Sequence, residues 1–155
     1  AGGVRCVKET GPRRAPAARP EPAVKATAWE AVMAGRTADG VELSNDLLSA
    51  TAAGFAAGDV ELLAEHEAGF WPRLEQVWAS RSNGLASRAI GGLFPGHQDA
   101  VAGDAAAQES HPTLASAQRW LDEHPDAPGA LRRLVVEHTD QLRRSLRVQA
   151  AQPTA

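Results

Sequence analysis

Tyrosine is absent from this 155-residue chain, which also has one methionine, three phenylalanines and a single cysteine. One cysteine, Cys6, excludes an internal disulfide and any cysteine-rich zinc ribbon. No apolar run approaches the ~20 residues that cross a bilayer, and no charged start leads into a hydrophobic block. These absences point to a soluble, cytoplasmic protein with no membrane partner. The period-two alternation of a half-buried strand is missing as well, so the expected fold class is all-α.

Apolar residues make up 43% of the chain, but much of that share is alanine, which favours helix and fills little volume. Four tryptophans are therefore the large anchors around which helix packing is built. The length suits one domain that buries ~70% of the surface its unfolded chain would expose. Charge is uneven. Residues 1–24 hold five basic and two acidic side chains, residues 25–126 six and fifteen, and residues 127–155 five and two. An acidic middle excludes nucleic acid as the expected partner, because phosphate binding needs a concentrated basic surface.

Residues 1–23, with Gly11-Pro12-Arg13-Arg14 and Arg19-Pro20-Glu21-Pro22, read as an Arg/Pro-rich tail or linker. The helical region is expected over 24–150, with a short tail at 151–155. Ala26, Trp29, Val32 and Met33 recur at helical spacing before Gly35, and Thr37-Ala-Asp-Gly40 has turn composition. A second helix carries Leu43, Leu47, Leu48, Thr51 and Phe55 and ends near Gly58. Asp59 is the expected N-cap of the next run, in which Pro72 predicts a kink or break. Leu85 to Phe94 form another helix, and residues 96–110 read as a flexible loop. Thr113 is expected to cap the helix bearing Leu114, Ala117, Trp120 and Leu121. Asp126 is expected to cap the last one, with Pro128 in its first turn. Leu131, Leu134, Val135, His138, Leu142 and Leu146 give that helix its apolar stripe, and Arg143, Arg144 and Arg147 fall where its dipole favours cations. About six helices in stacked antiparallel hairpins, an α-solenoid or HEAT-like arrangement, follow from this pattern.

Chemistry is harder to find. Glu65-His66-Glu67-Ala-Gly-Phe70 approaches a helical zinc-peptidase motif, but phenylalanine occupies the second histidine position. His66, His97, His111, His124 and His138 never stand three or four apart. His138 on the apolar stripe reads as a packed histidine, and Asp122-Glu123 as exposed helix charge. No serine has a Gly-x-Ser-x-Gly setting, and Gly91-Gly92 lacks the lysine and strand of a phosphate loop. No catalytic, cofactor-binding or metal residue is assigned.

Phe70-Trp-Pro-Arg-Leu-Glu-Gln-Val-Trp-Ala-Ser-Arg-Ser82, Gly92-Leu-Phe-Pro95 and residues 120–147 together resemble the C-terminal helical domain of the aminopeptidase N family of zinc metallopeptidases. The similarity is to the bacterial members, whose domain is related to that of the endoplasmic-reticulum aminopeptidases. Ala28-Trp29-Glu30-Ala-Val, Asn45-Asp-Leu-Leu and Ala53-Gly54-Phe55 extend it in collinear order. The resemblance implies a parent enzyme whose zinc-binding HExxH helix, downstream glutamate and Gly-x-Met-Glu-Asn loop lie in other domains, and whose helical domain closes over the site as a bowl. Neither motif occurs in this sequence, and residues 1–22 do not match the family.

Three functions are therefore weighed. The first is a fragment, beginning Ala-Gly-Gly and not with methionine, that caps the active-site chamber and limits peptide access. It is inert alone, has no cofactor of its own, and has the catalytic domain and peptides as partners; zinc belongs to the parent enzyme. Self-association through an exposed cut face accompanies this reading. The second is a free-standing helical-repeat module that binds a peptide or protein, which exposed tryptophans would favour. The third is a small hydrolase using histidine and carboxylate.

Overall fold

Pro22 opens the helix Pro22–Ala34 (α1), where its missing N–H costs nothing, and Gly35 closes it at φ 72°. The computed structural model describes residues 17–152; the reading of 1–23 and 151–155 as tails falls outside these for 1–16 and 153–155. Ala17 is already helical and buried, and after a turn the helix at Pro22 begins two residues ahead of Val24. The Thr37–Gly40 turn forms as its composition predicts: Gly40 takes φ 86° and donates to the Thr37 carbonyl at 2.9 Å. An isolated bridge between Arg36 and Glu42 is the only extended pairing among the described residues.

Asn45–Ala56 (α2) follows, with Ser44 Oγ accepting from the Leu47 N–H at 3.3 Å. The next run breaks into Val60–Ala64 (α3), Glu67–Phe70 (α4), a 3₁₀ turn at Trp71–Arg73 and Leu74–Ala79 (α5). Pro72 sits in that 3₁₀ turn, the break its ring imposes. Asp59 stands at the N-cap of α3, but its carboxylate makes no capping bond. Asn83–Leu93 (α6) is capped by Ser82. In Pro112–Glu123 (α7) the cap is His111, not Thr113: proline takes the first helical position, so the residue before it turns its Nδ1 to the Thr113 N–H at 3.1 Å. Gly129–Ala151 (α8) starts after Pro128, which keeps an extended ψ of 131°, so Asp126 is not its cap.

Helices α1, α2 and α6 pack on one another, α7 and α8 form a second group, and α6 joins them by touching α8. With the broken run 60–79 counted once, residues 22–152 hold six α-helical stretches, a 3₁₀ turn at Ala107–Ser110 and no strand, an all-α fold. Val32, Leu48, Leu74, Ile90, Leu131 and Leu146 are among the core residues closed to solvent. The stripe of α8 is buried as spaced, with Leu134 and His138 at its half-buried margin. Thr139 is buried too, its hydroxyl donating to the Val135 carbonyl at 2.7 Å. Because α8 continues to Ala151, Arg143 and Arg147 precede its last turn, and both pair with Glu109 instead, at 3.0 and 2.7 Å.

Residues 96–110 are pinned, contrary to the flexibility their composition suggested. Gln108, closed to solvent, exchanges hydrogen bonds with the backbone of Val101 at 2.9 Å each way. Gln149 of α8 does the same for Ala100 N–H and Gln98 O, both at 3.0 Å. Amide side chains supply donor and acceptor together, so each of these two residues makes a reciprocal tie to the loop backbone.

Three helices end on cations brought from elsewhere in the chain. Lys25 of α1, fully buried, donates from Nζ to the carbonyls of Gly54 (2.8 Å), Phe55 (3.0 Å) and Ala57 at the end of α2, and to Ala17 (3.1 Å). Arg81 donates to Val32 O (3.0 Å) and Met33 O at the end of α1. Arg132 reaches Leu121 O (2.7 Å) and His124 O (2.6 Å) at the end of α7. None of these helices has a basic residue in its own last turn, and each imported cation satisfies orphan carbonyls while meeting the negative dipole end.

Candidate functional site

The stretch closest to a metal motif is committed to packing. Phe70 is buried, His66 stacks on Trp29 (ring centroids 5.4 Å) and meets Phe55 edge-on (5.2 Å), and Glu67 accepts from Thr113 Oγ1 at 3.1 Å. Burial holds the His66 imidazole below its ordinary pKa, with Glu65 and Glu30 opposing. His138 is lowered the same way, burial outweighing Glu137, and it stacks on Phe94 at 5.3 Å. His124 lies flat on Trp120 at 4.7 Å, with Glu75 3.5 Å from its Nε2. His111 spans the loop, its Nε2 3.2 Å from Asp99 O, while His97 is exposed. Among the described residues no three His, Cys, Asp or Glu side chains gather as metal donors, so these residues do not fit the zinc of the resembling family. Cys6 lies outside the described residues.

The carboxylates serve as surface partners. Glu30 takes a two-pronged bond from Arg73 (3.0 and 3.1 Å), whose guanidinium lies 5.1 Å from the centre of the Trp29 ring. Burial would raise the Glu109 carboxyl, but its bonds to Arg143 and Arg147 outweigh that and hold it below the ordinary value. Asp122 accepts from Gln118 one turn back at 2.9 Å.

What remains is surface shape. No tryptophan among the four is exposed: Trp29 and Trp120 are 5% and 3% accessible, Trp71 and Trp78 half-buried. The indole N–H groups of Trp29 and Trp71 are buried without a partner. Trp71, Pro72, Arg119 and His124 wall one open groove. A more apolar one of about 490 Å³ runs between α1 and α2, lined by Val24, Ala28, Ala31, Leu43 and Thr51. Sequence reading missed this groove. Its signal is that α1 carries only two charges, Lys25 and Glu30, and Lys25 points inward.

No protein-family model matches the chain. Aminopeptidase N of Streptomyces lividans is 40% identical to it over 141 residues, which is 90% of this chain and 14% of that protein. The chain is related to aminopeptidase N. The match takes in most of the helical region. Because the chain spans 14% of that relative's length, it aligns with a small part of an aminopeptidase N and not with its bulk. No described helix is long and apolar enough to cross a membrane.

Proposed function

We propose that the chain is the C-terminal helical domain of a zinc-dependent aminopeptidase, capping the active-site chamber and limiting which peptides reach it. It contributes no catalytic or zinc-binding residue of its own. The observation that carries this reading is the 40% identity across 90% of the chain to a small share of an aminopeptidase N. The packed state of His66 and Phe70 supports it, because the one motif-like segment is used for structure. The protein works with a catalytic domain and peptides as partners, in the cytoplasm. Exposed tryptophans would favour the rival reading, a free-standing peptide-binding module, and none of the four is exposed.

The test is to replace the aligned segment of the Streptomyces lividans enzyme with this chain and assay N-terminal residue release. The expected result is turnover by the chimera, an altered preference between short and long peptides, and none by the free chain with or without zinc. Turnover by the free chain, or a folded but inert chimera, would overturn the proposal.

A further inference from the structure

The outer side of α1 is unusual for a helix that faces water. Its exposed positions after Pro22 are Ala23, Ala26, Thr27, Glu30 and Ala34, with one charge among them, while Trp29, Val32 and Met33 fill the core side. A surface helix carries charge opposite its buried stripe; one with little polarity on either side is covered on both. Beside that outer side runs the groove walled by Val24, Ala28, Ala31 and Leu43, and the nearby turn exposes 54% of Val41.

We infer that the groove between α1 and α2 seats an apolar helix from the remaining part of an aminopeptidase N-like polypeptide. This rests on the proposed function above and adds the surface through which the domain is held. Alanine and threonine walls let a helix axis approach to the ~8 Å end of the usual packing range. Ala17, the first described residue, lines one end of the groove. The relative has most of its length outside the aligned 14%, which supplies an occupant. A second copy of this chain fits less well, since stable self-interfaces bury about 800 Å² on each partner, more than one face of a 13-residue helix offers.

Hydrogen exchange at the α1 amides, in the free chain and in the chimera with Streptomyces lividans aminopeptidase N, reads the contact directly. Exchange in α1 is expected to slow ~10-fold or more in the chimera. Thr27→Arg, at an exposed groove position, is expected to abolish that slowing and lower the chimera's melting temperature by about 5 °C. The free chain's own melting stays unchanged, and Val136→Arg on the exposed side of α8 has neither effect. An active chimera whose α1 exchange and melting are indifferent to Thr27→Arg overturns the groove assignment alone. A folded, inert chimera overturns the functional reading and this inference with it. Concentration-dependent dimerisation of the free chain that Thr27→Arg abolishes gives the groove to a second copy and overturns the proposed occupant.

Discussion

Gly92 of α6 faces Ala52 of α2 so closely that a Cβ on the glycine would lie 2.6 Å from the alanine Cβ. Both positions are helical, so neither backbone can swing aside. Alanine at position 92 would gain about 1 kcal/mol of helix propensity, yet the forced separation outweighs it. Gly92→Ala is expected to cost about 1–3 kcal/mol in urea unfolding, and Ala52→Gly in the same chain to restore part of it. A stabilised single variant would show that the two helices are not packed at this distance.

Lys25→Met removes the cation from four carbonyls while keeping the side chain's apolar length. Leaving the Gly54, Phe55 and Ala57 carbonyls buried and unpaired is expected to cost about 3 kcal/mol, read as a lowered denaturation midpoint with unchanged slope. Burial lowers the Lys25 pKa, but the carbonyl cage favours the charged form that the midpoint measurement tests.

Stability should fall as the solution is acidified below neutrality. His66 and His138 are both held below the ordinary imidazole value, so the unfolded chain takes up protons first. Their contribution is complete above the unfolded pKa of about 6.5 and is lost as pH drops through the lower folded values. Unfolding midpoints measured from pH 7.5 to 5 should show this slope, and the double variant His66→Gln, His138→Gln should flatten it.

Gln149→Ala removes both Gln149 bonds to the 96–110 loop and leaves the Arg143 and Arg147 pairs with Glu109 in place. Exchange at the Ala100 amide is expected to quicken at least tenfold, with a global cost of about 1 kcal/mol. Unchanged exchange there would mean that the loop is held without Gln149, by Gln108, His111 and the Glu109 pairs.

Tryptophan emission offers a check that needs no variant. With two indoles buried and two half-buried, the native spectrum is expected to be blue-shifted and weakly quenched by acrylamide. A red-shifted native spectrum would return the free-standing binding module to consideration.

The helices were legible because their signal is local. Leu131, Val135, Leu142 and Leu146 are spaced for one face, Gly35 stops α1, and Pro72 breaks its run, each by chemistry within a few residues. The caps were read less well: Asp59 stands at its N-cap without a side-chain bond, while Thr113 and Asp126 yield theirs to His111 and Pro128, where proline sets which residue enters the helix first. Lys25 was invisible because a lysine between alanines reads as a solvated position, and only residues 54–57 explain its burial. Gln108 and Gln149 hid in the same way, as polar residues whose partners are backbone atoms of a loop. For the candidate site, no reactive constellation was legible, and the groove found instead is built of alanines that carry no chemical signature.

The imported cations also bear on how the chain acquires its shape. During synthesis α1 emerges before Arg81 exists, so its last carbonyls stay open to water until some fifty further residues have been added. The end of α2 differs, since Lys25 precedes it and waits on the docking of the two helices. An excised α1 or α2 peptide would fray at its C-terminus, and helix content would accumulate with tertiary assembly instead of ahead of it. The C-terminal ends of α1, α2 and α7 are thereby settled by their neighbours, and their last turns form with docking.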